Sequence, residues 1–171
     1  TGVCIPGPDI EIAARLSLPP NVERTLVGFM GCSGAFHGLR VARRAAADSP
    51  EARVLLVCVE LCSLHRRPSL NVEDIVANSL FADGAAAVVL GASDAPTLAL
   101  LGEPANHLEV DARDAMTWRV MDDGFELHLS RKIPGIVGDG VASFVAELLT
   151  RGEAALELEW LVHPGGAAIL G

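Results

Sequence analysis

Basic residues are scarce in this chain of 171: 13 Lys and Arg stand against 22 Asp and Glu, a formal net charge of −9. A broad phosphate-binding surface needs the opposite balance, so nucleic acid is not an expected partner. Cysteine is scarce too. Cys4, Cys32, Cys58 and Cys62 are too few and too irregularly spaced to staple a small secreted domain, and they read as reduced thiols. No apolar run reaches the roughly 18 residues that span a bilayer, and the first residues lack the charged-then-apolar order of a signal peptide. The expectation is a cytoplasmic protein with no membrane partner. Repeats and low-complexity stretches are also missing. What is plentiful is apolar: half of the residues are hydrophobic, enough for a core without disulfides or metals. The chain opens at Thr1 rather than Met and closes at Gly171 after an apolar run that resembles the opening of a helix. It reads as the central part of a longer protein.

The apolar segments alternate in type. Residues 24–30 predict a buried strand closed by Gly31, residues 33–47 a helix rich in Ala, Leu and Arg, and residues 53–60 a second buried strand. Together they predict a βαβ unit with a right-handed crossover. A helix over 71–80, with Asn71 as cap and acidic residues in its first turn, and a strand over 85–90 follow. Beyond a small, polar connection come strand-like segments at 97–102, 117–121 and 125–130, the last two flanking the turn signal Asp122-Asp123-Gly124. Residues 133–150 have helical apolar spacing with Pro134 in the first turn, and 158–162 predict a strand running into His163-Pro164-Gly165-Gly166. The organisation predicted is the end of one α/β layer unit over 1–91, a connection over 92–96, and the start of a second unit over 97–171.

Cys32 is the leading candidate for chemistry. It lies between an apolar segment and a long helix, where unpaired N–H groups and the helix dipole favour a thiolate. Its own N–H could bind an oxyanion, and Gly31 and Gly34 would let a substrate approach. The same residue also fits a small, buried core position. His163 is the matching base: Pro164 and two glycines force a defined turn that aims the imidazole. A satisfied structural histidine at a strand end is the alternative. The two candidates are far apart in sequence, which is no obstacle to a meeting in space.

Five segments, in order, are similar to the type III polyketide synthases of the chalcone synthase-like family: Gly2-Val-Cys-Ile-Pro-Gly7, Gly31-Cys32, Leu80-Phe-Ala-Asp-Gly-Ala85, Leu127-His-Leu-Ser-Arg-Lys-Ile-Pro-Gly135 and Trp160-Leu-Val-His-Pro-Gly-Gly166. The resemblance implies a layered α/β/α/β/α thiolase-like fold. Residues 1–91 would then end its first half, with the nucleophile, and 97–171 would begin its second, with the histidine. It implies a Cys-His-Asn acyltransferase that loads an acyl-CoA starter and extends it with malonyl-CoA. Cys32 matches the nucleophile and His163 the histidine, with the asparagine expected beyond Gly171. Coenzyme A thioesters are substrates in that scheme, and no metal or cofactor is expected.

The resemblance further implies a gatekeeping role for Phe81, cavity-lining roles for Cys62 and His65, and contact of Gly165, Gly166 and Ala168 with coenzyme A. Leu127 stands where plant enzymes carry a second gatekeeping phenylalanine, and Trp118 falls near a position that is small in them. Cys62 looks like the bacterial branch. Ile5 matches a position at a homodimer interface that reaches toward the partner's cavity, and Pro6 suggests a fixed turn. Two rivals remain: an initiator of fatty acid synthesis of the 3-oxoacyl-acyl carrier protein synthase III type, and a non-catalytic dimerisation subunit. His-Pro-Gly-Gly favours the polyketide enzyme over the first, and intact Cys32, His163 and Phe81 over the second. Zinc on Cys58, Cys62 and His65 lacks a fourth ligand. Arg40, Arg43 and Arg44 read as a solvated helix face, and Asp83 as a turn residue.

Overall fold

The structure is a computed structural model that describes residues 4–67, 71–92, 96–150, 159–166 and 169. The chain forms two compact units, Thr1–His65 with Ala82–Pro104 and Arg66–Phe81 with Ala105–Gly171.

In the first unit, a cis Ile5–Pro6 bond precedes helix α1, Asp9–Arg15. Arg24 reaches back to pair with Asp9. Helix α2, Gly34–Ala47, buries Gly38, Ala42 and Ala46, which recur every fourth residue and so line one face. That small-residue face lies on strand β1, Arg53–Glu60. A Cβ on Gly38 would stand 2.8 Å from Leu56 Cδ1, so the missing side chain is what permits this approach. The helix stops at Asp48, as its Asp-Ser-Pro ending predicts. In the turn that follows, the Ser49 hydroxyl donates to Glu51 at 2.8 Å and holds that carboxyl below its usual range.

Strand β1 pairs antiparallel with strand β2, Gly84–Gly91, in unbroken register from Arg53↔Gly91 to Glu60↔Gly84. The expected strand over 24–30 does not form. That segment has no regular structure, turns left-handed at Phe29, and joins no ladder, so there is no βαβ unit among the described residues. The physical reason is that an apolar run specifies suitability for burial but names no hydrogen-bonding neighbour. The predicted solvated arginine face is also corrected: Arg40 donates to the Pro104 carbonyl at 3.4 Å and Arg43 pairs with Glu103 at 2.6 Å. Two of the three arginines therefore tie α2 to the later segment of its own unit.

The second unit holds helix α3, Val72–Leu80, and a hairpin of strands β3, Met116–Met121, and β4, Gly124–Leu129. The hairpin turns through Asp122-Asp123 with Met121 paired to Gly124, whose φ of 138° explains the glycine. Helix α3 packs on β4, and Leu127 and Asp74 are buried in this unit. Helix α4, Ile133–Thr150, starts where Ser130 Oγ accepts the Lys132 N–H at 3.2 Å. Its 18 residues have a mean hydropathy of 1.4, so by length and composition it meets the bilayer requirement that the sequence reading denied to every segment. Core helices of soluble proteins meet it as well, and Asp139 and Glu147 interrupt this one. Strands expected at 97–102 and 158–162 are absent from the described residues there, which are irregular.

Candidate active site

Cys32 sits in a single 3-10 turn, Gly31–Ser33, that runs directly into α2. The turn is closed by Ser33 Oγ, which donates to the Met30 carbonyl at 2.7 Å. Gly31 has φ of 56°, a left-handed conformation that glycine adopts without a Cβ clash. Phe29 takes φ of 60° with a full side chain, a conformation costing roughly 1–3 kcal/mol that the surroundings must impose. Two left-handed residues within three positions give the chain its sharp entry to the helix. Cys32 is exposed at that corner. An added Cβ on Gly28 or Gly31 would meet no atom within 4 Å, so neither glycine is required there by close packing. The first N–H groups of a helical turn lack acceptors inside it, and the Cys32 N–H belongs to that set.

Cys62 and His65 close a second 3-10 turn, Cys62–His65, directly after β1, and both are half-buried. Ser63 between them is anchored by Asp83, which accepts its N–H at 2.8 Å and its hydroxyl at 2.6 Å. Ile5, in the same unit, is 90% exposed.

In the second unit, Phe81, Trp118 and Leu127 come together. The Phe81 and Trp118 rings meet edge to face at 5.4 Å and 70°, and Phe125 extends the cluster at 6.5 Å from Trp118. Leu127 lies directly across the ladder from Trp118 and is only 3% exposed. Directly opposed residues share a face, so Leu127 lies on the face of the hairpin where Trp118 meets Phe81. His163 is exposed in a tight turn: the Gly165 N–H donates to the His163 carbonyl at 2.9 Å, Gly166 has φ of 124°, and the Ile169 N–H donates to Gly166 at 3.0 Å. Ala168 lies outside the described residues. Among the described residues, no three His, Cys, Asp or Glu side chains converge as metal ligands. Sequence reading missed Arg67, which bonds Asp123 and Glu126 in the hairpin at 3.0 and 3.3 Å. Its partners lie 56 and 59 residues away, so no local pattern could have marked it.

Solved structures define the class. The type III polyketide synthase domain of Steely1 from Dictyostelium aligns over 99% of this chain and 50% of that one, with TM-score 0.87 and 34% identity. The 1,3,6,8-tetrahydroxynaphthalene synthase of Streptomyces coelicolor aligns over 99% and 49%, also at 0.87, with 26% identity. The fold is therefore the thiolase fold of these enzymes. Residues 1–94 match the family described as chalcone and stilbene synthases, N-terminal domain, and the chain belongs to that family. Curated relatives include an alpha-pyrone synthesis polyketide synthase-like protein of Mycobacterium tuberculosis, 34% identical over 99% of this chain and 45% of the relative. Type III polyketide synthase C of Arabidopsis thaliana is 36% identical over 97% of this chain. The chain spans about half the length of the curated relatives it matches.

Proposed function

We propose that this chain is the nucleophile- and histidine-bearing part of a type III polyketide synthase, acting as a homodimer on acyl-CoA and malonyl-CoA. The observation that carries the reading is Cys32, exposed on a strained turn at the mouth of α2, in a chain of this family.

Cys32 and His163 would form a thiolate–imidazolium pair. The thiolate attacks the starter thioester carbonyl, the Cys32 N–H would stabilise the oxyanion, and coenzyme A leaves as its thiol, taking the proton held by His163. The C–C bond to the malonyl carboxylate then breaks. Carbon dioxide departs, and the electron pair remains as an enolate stabilised by hydrogen-bond donors, among them the now neutral His163 in the tautomer that turns its N–H to the oxygen. Carbon attack on the Cys32 thioester forms the new C–C bond, releases the thiolate, and leaves a β-ketoacyl-CoA two carbons longer. The balance needs no metal and no external oxidant or reductant. The apolar walls of Phe81 and Leu127 favour loss of a charged carboxylate. Gly165 and Gly166 leave backbone room for coenzyme A, and Ile5 supplies a wall across the dimer.

The test is turnover by the full-length protein with malonyl-CoA and a panel of starters. The reading predicts starter-dependent carbon dioxide release with two-carbon extension, lost in Cys32→Ala. Retained extension by the purified variant would overturn it.

A further inference from the structure

Helix α3 is tied to the hairpin near its C-terminal end by two different chemistries. Before the helix, Arg67 Nε donates to Asp123 Oδ1 at 3.0 Å in the hairpin turn, and Nη1 donates to Glu126 at 3.3 Å on β4. Its side chain is 19% exposed, the most covered member of the trio. Asn78, from the helix itself, donates to the Arg67 carbonyl at 3.4 Å, which joins the arginine's backbone to α3. After the helix, Phe81 meets Trp118 edge to face. Asn78 stands three residues before Phe81, and Arg66 Nη2 donates to the Phe81 carbonyl at 3.4 Å, so the arginine fork and the ring contact lie side by side at this end of the helix.

Strand alternation sets the geometry. Glu126 and Leu127 are successive residues of β4, so their side chains leave opposite faces of the hairpin. Arg67 therefore holds the face opposite Trp118 and Leu127, while Phe81 packs on the aromatic cluster. A fork of two donors fixes both distance and angle, which a single point charge does not.

We propose that Arg67 is a positioning residue for the Phe81–Trp118 pair, setting how closely the two rings approach and hence which acyl groups pass them. The proposal rests on the functional reading above for its second half only. With the arginine fork lost, the hairpin turn is free to move away from α3, the ring contact loosens, and bulkier starters are admitted.

Two readouts separate the proposal from that reading. In a full-length background with every other tryptophan, Trp160 included, replaced by Phe, the remaining indole is Trp118. Arg67→Ala should red-shift its emission and raise its acrylamide quenching with the far-UV circular dichroism unchanged, and Arg67→Lys should restore part of the effect. Asp123→Ala with Glu126→Ala removes the same fork from the hairpin side and should give the same signature if Arg67→Ala folds poorly. The kcat/KM ratio of bulky to small acyl-CoA starters should then rise by roughly tenfold, a pocket-sized effect. An unmoved Trp118 signal in both variants overturns the proposal. A loosened Trp118 with an unmoved starter ratio overturns the gating half. Lack of turnover in the parent protein refutes the functional reading and leaves the fluorescence test of the brace standing.

Discussion

Asp83 holds Ser63 twice, one carboxylate oxygen taking the backbone N–H at 2.8 Å and the other the hydroxyl at 2.6 Å. The pair spans 20 residues and pins the turn bearing Cys62 and His65 to the start of β2. A carboxylate with both oxygens committed in this way is an anchor for the turn.

Asp83→Ala should therefore lower stability by about 1–3 kcal/mol, since a hydrogen bond to a charged acceptor is lost and the turn is released. Ser63→Ala, which keeps the backbone bond, should cost less. Urea unfolding measures both. Full stability in Asp83→Ala would contradict the anchor.

The contact of α2 with β1 depends on Gly38. Gly38→Ala puts a methyl 2.8 Å from Leu56 Cδ1, the movable end of a flexible side chain, while gaining about 1 kcal/mol of helix propensity. The net change should lie within about 1 kcal/mol. Gly38→Leu has no such room and should destabilise by about 1–3 kcal/mol through overpacking. Equal stability of the two variants in thermal unfolding would show that α2 does not approach β1 at this position.

How far such details could be read in advance differs by element. The β1, β2 and α4 segments were legible because continuous apolar runs or helical spacing over eight or more residues leave few alternatives. The hairpin was legible from Asp122-Asp123-Gly124. The 24–30 segment was misread because its composition is that of a strand while strand identity depends on a neighbour. Cys32 stood out at its helix start, whereas the left-handed Phe29 two residues earlier carried no signal, since nothing in a phenylalanine forecasts that conformation. Phe81, Trp118 and Leu127 were singled out separately by resemblance, and their meeting required the fold. Arg67 and the Ser63–Asp83 anchor join residues 20 to 59 positions apart, beyond any local pattern.

The Arg67 brace has a defined pH response. The hydrogen bond to Asp123 holds the guanidinium above its ordinary range, with the charges of Asp123, Asp74 and Glu126 acting in the same direction. A basic group raised in the folded state contributes fully below its unfolded pKa and loses that contribution only as pH rises through the folded one. Both values lie far above neutrality, so Trp118 quenching should be flat from neutral to mildly alkaline pH. A step in that range would contradict the brace as described.

Phe81 and Trp118 should be energetically coupled. A double-mutant cycle of Phe81→Leu and Trp118→Leu, read by unfolding, should give an interaction of about 0.5–1.5 kcal/mol for an edge-to-face pair. Strict additivity would show that the rings touch without contributing.

The central claim is that Cys32, on its strained turn, is the acyl carrier. Its most direct test is intact-mass spectrometry of the full-length protein after incubation with a panel of acyl-CoA esters, followed by peptide mapping. The account predicts one acyl adduct, on Cys32 and absent from Cys32→Ala. An adduct on Cys4, Cys58 or Cys62 instead, or none from a folded protein with any ester, would contradict it.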